Sequence, residues 1–480
     1  MSTEIPEEAP KLYAAREPVF PKRVKGKFRS IKWWMMIVTL GIYYITPWIR
    51  WDRGPDMPDQ AVLIDMAGRR FFMFWIEIWP HEFYFVAGLL IMAGLGLFLF
   101  TSALGRVWCG YACPQTVWVD LYVQVERWIE GDRNARIRLL NRKWDAYKWR
   151  LRLTKWAAWL LIAVATGGAW VFYYADAPTL LRDLLTGQAA FVAYAFIASL
   201  TATTFIFGGF MQEQICTYMC PWPRIQAAMM DEDTMTVSYR DWRGEPRAKL
   251  KESKADPSLG DCIDCNACVA VCPVGIDIRE GQQLECITCA LCIDACDEMM
   301  VKVGRPTGLI AYLTANDEPL ERAGKPPRNM WKHLIRVRTV MYVVLWGAVG
   351  LGLLVALFVR PDIEVNVSPI RNPVFVALSD GTIRNDYDLR VLNKHGEQRP
   401  FRITATSTST DTNLHVELQG IEGVVVLAPA DDTYSQRVYL VAPPGDPAGS
   451  RDRTDVRIWI EDTTSGDRAY VDTVFNGKTR

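Results

Sequence analysis

Residues 262–273 read CIDCNACVAVCP and residues 286–296 read CITCALCIDAC, so C-x2-C-x2-C-x3-C occurs twice within 35 residues. Two intervening residues let a tight loop aim successive thiolates at three corners of one four-iron cube. The fourth cysteine, three residues on, starts a helix that points to the other cube. By that geometry Cys262, Cys265, Cys268 and Cys296 hold one 4Fe-4S cluster, and Cys272, Cys286, Cys289 and Cys292 hold a second. Soft, charged thiolates stabilise iron–sulfur cores, and small or apolar residues between them, such as Ala267, Ala270, Ala290 and Leu291, exclude water. A pair of zinc ribbons fits less well, because those sites use two C-x2-C pairs separated by a longer spacer. Pro273 follows the first run, but Asp297 follows the second, where a carboxylate would lower the nearby potential without touching ligation.

The other four of the 12 cysteines form two C-x3-C-P pairs, Cys109 with Cys113 (WCGYACPQT) and Cys216 with Cys220 (ICTYMCPWP). Each pair follows an apolar run, so helix plus motif is an internal repeat. A helical pair would put both sulfurs on one face, whereas the proline after the second cysteine favours a break there. Either arrangement lets four thiols converge at the membrane edge. They are candidates to bind copper as Cu(I), to hold a third cluster, or to cycle as catalytic dithiols. Four buried cysteines acting as small apolar residues is the plainer reading, but recurrence at equivalent positions favours function. Met211, Met219, Met229, Met230 and Met235 are candidate thioether ligands, although methionine is common beside membranes. His81 and His333 read as interfacial residues rather than ligands.

An apolar share of 50% with 19 Trp points to a membrane protein with soluble attachments. Five stretches approach the roughly 20 apolar residues that a crossing needs: 33–49, 83–105, 156–175, 189–211 and 339–359, none with Asp, Glu, Lys or Arg. Residues 60–80 are apolar too, but Asp65, Arg69, Arg70 and Glu77 suit an interfacial or re-entrant element instead. Lys plus Arg number 8 in residues 1–32, 4 in 50–82, 11 in 106–155 and 1 in 176–188. The excess puts the N-terminus, the 106–155 loop and residues 212–338 in the cytoplasm, and 362–480 outside. The tail beyond Cys296 has no cysteine, in keeping with that orientation. The first 32 residues are polar and basic and show no cleavable signal, so the first apolar run is expected to stay as an anchor. The basic, Trp-rich loop 106–155 is expected to lie on anionic lipid heads rather than to form a quinone or partner surface. Equal counts of 54 basic and 54 acidic residues give no argument for nucleic-acid binding.

From 362 onward the chain alternates like strands (RNDYDLRVLNK, PFRITATSTS, NLHVELQG, YSQRVYLVAPP, TDVRIWIEDT, AYVDTVFNG), separated by turn residues, as in a small antiparallel sandwich. His395 and His415 are its only histidines, and a binding or structural role outweighs a catalytic one. The expected architecture is a multi-domain membrane protein. It has a cytoplasmic segment 1–32, transmembrane helices one to four within 33–211 and a cytoplasmic region 212–338 with a bacterial-type two-cluster ferredoxin domain at about 255–300. A fifth helix at 339–359 leads to an all-β, immunoglobulin-like sandwich at 362–480.

WCGYACPQTVW (108–118), CTYMCPWPRIQ (216–226), the two cysteine runs, GRPTGLIAY (304–312) and the strand-rich tail occur in an order that resembles the FixG/CcoG (RdxA) family of cytochrome oxidase accessory proteins. The resemblance spans nearly the whole chain. It implies five helices in the bacterial inner membrane, two 4Fe-4S clusters and an immunoglobulin-like periplasmic tail. It also implies cupric reductase activity, Cu(II) to Cu(I), in assembly of the cbb-type haem-copper oxidase. Implied partners are a copper ion or carrier and the oxidase or its assembly factors. No G-x-G-x-x-G nucleotide fingerprint follows a strand, so the cytoplasmic electron donor is another molecule. A homo-oligomer is left open. The rival readings are a quinol dehydrogenase-type membrane ferredoxin feeding a periplasmic reductase, against which the long tail argues, and a non-redox oxidase assembly scaffold.

Overall fold

The computed structural model describes residues 18–478 except 55–56, 362, 396, 408–411 and 431. The expectations for residues 1–17 lie outside the described residues. The chain divides into two units, one of residues up to 49 with 61–353, the other of 50–60 with 354–480.

In the first unit α1 (Lys27–Ile45) precedes a three-stranded antiparallel meander of β1 (Val62–Asp65), β2 (Arg70–Met73) and β3 (Ile76–Ile78). Residues 60–80, expected as an interfacial or re-entrant element, therefore form short strands. Arg69 and Phe74 take positive φ at the two turns, and Arg70 pairs with Glu77 at 3.3 Å, so half of the charges that seemed costly are paired within the sheet. Then come α2 (Tyr84–Leu104), α3 (Val107–Tyr111), α4 (Pro114–Ile129), α5 (Arg133–Asn141), α6 (Ala146–Val171), α7 (Ala177–Thr186) and α8 (Phe191–Thr204). A π-helical segment, Phe205–Met211, extends α8.

Among the described residues, three helices are long and apolar enough to cross a membrane: Pro80–Leu104, Phe191–Met211 and Val337–Val359. The other two expected spans, 33–49 and 156–175, are the apolar ends of helices that begin in basic turns. Helix α1 has buried Arg29 and Lys32, and α6 has buried Lys148 and Lys155. Those cations are anchored. Arg29 meets Asp120 at 2.8 Å, Lys155 meets Glu130 at 3.0 Å, Arg152 meets Glu130 at 3.0 Å, and Arg136 binds Glu126. Much of the 106–155 loop is thus a helical cluster in which Arg136, Arg152 and Lys155 are turned into inward ion pairs. Trp128, Trp144 and Trp149 remain exposed.

The chain continues through α9 (Trp222–Met229), β4 (Thr236–Tyr239), α10 (Asp241–Gly244), α11 (Leu250–Ala255), α12 (Ala267–Val271), α13 (Leu291–Val303), β5 (Ile310–Leu313), α14 (Glu318–Arg322), α15 (Met330–Leu334) and α16 (Val337–Val359). Strands β4 and β5 pair antiparallel, Tyr239 opposite Ile310. The GRPTGLIAY stretch therefore closes the cysteine-bearing region with a strand. Asp294, inside the second cysteine run, accepts the Phe28 and Arg29 amides at 3.2 and 2.7 Å and so caps α1. Lys22 N–H donates to Ala270 O at 2.7 Å. Through these bonds the ferredoxin region is built into the helical unit. His333 is not interfacial; it is buried, 3.2 Å from Asp233 and 2.7 Å from Asp317.

The second unit holds two antiparallel sheets. One runs β10 (His415–Leu418), β12 (Asp432–Ala442), β8 (Ile383–Asn393), β6 (Ile363–Pro369), with β7 (Val376–Ala377) also on β8. The other runs β11 (Val425–Ala428), β9 (Arg399–Ser407), β13 (Arg453–Asp462), β14 (Arg468–Asn476). Alternate residues of both, including Tyr387, Leu389, Phe401, Ile403, Leu440, Ile458 and Phe475, form one buried core. Period-2 alternation produces this because successive side chains point to opposite faces.

Candidate functional site

The two cysteine runs share one backbone trick. In each loop the residue before and the residue after the second cysteine are left-handed: Asp264 (φ 47°) and Asn266 (φ 52°) flank Cys265, and Thr288 (φ 54°) and Ala290 (φ 59°) flank Cys289. Left-handed non-glycine residues cost roughly 1–2 kcal/mol each, and Thr288 is β-branched, the least tolerant type. Four of them at equivalent positions in two loops mark a backbone bent for a purpose. Alternating right- and left-handed residues turns successive N–H groups inward, the geometry that accommodates an anionic core.

The loops also exchange their fourth cysteines. Cys272 lines one cavity with Cys286, Cys289 and Cys292, which Cys268 borders from the first run, walled by Val274, Ile276, Ile278, Ile287 and Leu291. Cys296 stands in electrostatic reach of Cys262, Cys265 and Cys268. Burial and the neighbouring thiols push Cys272 and Cys296 up to about 12, and burial raises Cys268 to about 11. Bare thiolates buried so closely would repel one another, but bound to a cationic iron core they are compensated. Among the described residues no three His, Cys, Asp or Glu side chains close on a single point as one chelated ion requires. A cube, which gives each thiolate its own corner, holds its ligands further apart than one ion does. All 12 cysteines are free thiols. Asp297 accepts the Gly308 amide at 2.8 Å, so it ties down the GRPTG turn as well as adding charge.

The C-x3-C-P pairs repeat a helix–break–helix. Cys109 lies in α3, Cys113 is extended at the N-cap of α4, and Pro114 opens that helix. Cys216 lies in a π-helical turn, Ile215–Met219, Cys220 is extended, and Pro221 leads into α9. The proline break thus prevails over a continuous helical pair. The four thiols converge: burial raises Cys216 to about 12, and Cys113, Cys109 and Cys220 each push it further in that direction. Burial also raises Cys109, while Arg106 opposes the rise. The Cys109 thiol donates to Gln226 Oε1 at 3.1 Å, and Gln226 is fully buried.

Of the candidate methionines, Met230 lines a cavity of about 200 Å3 with Arg106 and Cys286, Met229 is buried in α9, and Met219 is exposed. His81 stacks on Trp79, and His415 is exposed beside Glu417 at 3.4 Å. Neither histidine joins the thiols.

Sequence reading missed what joins the four-thiol centre to the ferredoxin loops. Tyr111 donates from its hydroxyl to Cys289 O at 3.0 Å and Arg106 donates to Leu284 O, while Tyr312 of β5 braces the same loop from within the ferredoxin region by donating to Thr288 O at 3.1 Å. The available signal was the asymmetry of the repeat, CGYAC against CTYMC.

Comparison with known proteins agrees with this layout. A family described as "4Fe-4S dicluster domain" matches residues 211–315, one described as "4Fe-4S binding domain" matches 85–144, and one described as "IG-like fold at C-terminal of FixG" matches 353–478. Protein RdxB of Cereibacter sphaeroides is 66% identical over 97% of this chain and 98% of its own length. Protein RdxA of the same organism is 60% identical over 97% and 98%. The nitrogen fixation protein FixG of Rhizobium meliloti is 57% identical over 82% of this chain and 80% of its own. With two 4Fe-4S clusters as its cofactors, the chain belongs to the FixG/RdxA family of iron–sulfur electron-transfer proteins.

Proposed function

We propose that this protein reduces Cu(II) to Cu(I) at the bacterial inner membrane for assembly of a cbb-type haem-copper oxidase. The observation that carries the reading is the gathering of Cys109, Cys113, Cys216 and Cys220 into one centre packed against a ferredoxin loop. Cys262, Cys265, Cys268 and Cys296 are assigned to one cluster, and Cys272, Cys286, Cys289 and Cys292 to the other. When bound, the clusters supply one-electron storage. The chain's thiols supply a soft environment that prefers Cu(I) over Cu(II), so the same groups receive the substrate and favour its reduced form. The five stretches named above are assigned as crossings, with the cysteine-bearing regions facing the cytoplasm and the sandwich facing the periplasm. Copper carriers and the oxidase or its assembly factors are the partners this reading requires.

The test is reoxidation of the reduced, purified protein by added Cu(II). The expected result is rapid reoxidation in the wild type, lost when Cys109, Cys113, Cys216 and Cys220 are all replaced by Ser while iron and sulfide content stays unchanged. Undiminished reoxidation in that variant removes the thiols from the reaction. Rapid reduction by a quinol analogue without any copper response would move the assignment to a quinol dehydrogenase.

A further inference from the structure

The first C-x3-C-P pair of the four-thiol centre makes its closest backbone approach to the second of the two cysteine loops. Gly110 sits so close to the second loop that a Cβ there would lie 2.6 Å from Ile287 O, 3.0 Å from Cys289 Cα and 3.1 Å from Cys289 N. Contacts under 3.0 Å to backbone cannot be relieved by a side-chain turn. Cys109 packs against an apolar cluster to which the second run gives Ile287, Cys289 and Leu291 and the first gives Val271. Tyr111, 8% exposed, reaches Cys289 O. Cys216 and Leu291 border a shared cavity with Ile287 and Pro273. The second pair reaches that cavity through Cys216 but differs at the next two positions: Thr217 stands where the first has Gly110, and Tyr218 is 70% exposed where Tyr111 is buried. On the other loop Cys265 is exposed, with exposed Asp264 and Asn266 around it.

We propose that Gly110 and Tyr111 are positioning residues that seat the four-thiol centre on the loop of Cys286, Cys289 and Cys292, giving the relay a direction. Resting on the copper reading above, the Cys289 loop is the face that serves the thiols, and a one-electron donor protein supplies the clusters. One electron taken from that donor leaves beside Cys109, where Cu(II) becomes Cu(I). Copper binding to the thiols releases their protons to solvent, and the electron transfer that follows makes and breaks no covalent bond. Gly110 is required because any side chain would hold the motif off the loop. Tyr111 is required because its hydroxyl dipole, positive end toward Cys289 O, is felt at one loop alone.

The test uses full-length, detergent-solubilised protein carrying both clusters. In a redox titration followed by electron paramagnetic resonance without copper, Tyr111→Phe lowers the midpoint of one cluster and leaves the other in place. Tyr218→Phe, its exposed counterpart, shifts neither. In Gly110→Ala, Cu(II)-driven reoxidation slows about tenfold or more, since a misplacement of about 1 Å is costly in rate, with iron and sulfide content retained. Equal shifts in both clusters, no shift in Tyr111→Phe, or an unchanged rate in Gly110→Ala would overturn the proposal. If Gly110→Ala fails to assemble, the isosteric Tyr111→Phe decides alone. Should wild-type protein ignore Cu(II), the copper reading falls, and the copper-free titration still decides whether the seam singles out one loop.

Discussion

Asn266 is exposed yet held at φ 52°, with Arg279 Nη2 donating to its side-chain oxygen at 2.6 Å. Replacing it by Gly or by Val loses that bond equally, so the difference between the two variants isolates the backbone. Gly adopts the left-handed region freely, whereas Val pays the Cβ clash and its own branching, roughly 1–2 kcal/mol. Asn266→Gly is therefore expected to retain its clusters as the wild type does, and Asn266→Val to lose them at a lower denaturant concentration, read from cluster absorbance. Equal midpoints in the two variants would mean that the loop does not need the left-handed turn. The cysteines themselves were legible, because thiolate spacing along a loop reports directly on what the loop can surround. Gly110 and Tyr111 were not, because their partner Cys289 lies 178 residues away from Tyr111 and no local pattern encodes that contact.

Elements were legible where periodicity was long and clean. Strands β8, β12, β13 and β14 alternate over nine to eleven residues and were expected from sequence. Strand β11, VVLA, is a four-residue apolar run without polar alternation, and β6 directly follows the apolar run of α16, so neither announced itself. The meander of residues 60–80 was hidden for a similar reason: strands of three or four residues are too short to separate their period from that of an apolar helix. The sandwich offers a sharp test at β13. Burial would raise the Asp462 carboxyl, but Arg399 Nη1 at 2.8 Å and the amides of Thr464 and Ser465 outweigh it and hold the group at about 2. A folded pKa below the unfolded one contributes stability above the unfolded value, and that stability is lost as pH falls towards the folded value. For residues 354–480 expressed alone, roughly 2 kcal/mol should disappear between about pH 4 and pH 2. Asp462→Asn should be less stable at neutral pH and lack that part of the acid sensitivity; identical acid profiles for the two would discount the ion pair.

At the scale of the whole molecule, zero net charge conceals a strong asymmetry. Eleven basic residues lie in 106–155 and one in 176–188, and the inward ion pairs of Arg136, Arg152 and Lys155 explain how so basic a stretch folds. Paired or not, those residues still oppose translocation, since Asp and Glu contribute little to the orientation rule. The resulting topology makes opposite demands on two places separated by a single apolar helix, α16. Cys265 is exposed and, on the topology proposed above, faces the cytoplasm, whereas the tail carries no cysteine of its own, so one introduced as Leu427→Cys, at a site 58% exposed in β11, reports on the tail alone. In inside-out vesicles stripped of iron, a membrane-impermeant maleimide should label the peptide bearing Cys265 and spare that bearing residue 427; right-side-out vesicles should give the reverse. Labelling of both from one side would mean that Val337–Val359 does not cross, since no other helix long and apolar enough to cross lies between them among the described residues. The sandwich would then stand on the side of the thiols, and delivery of Cu(I) across the membrane would have to be assigned to a partner.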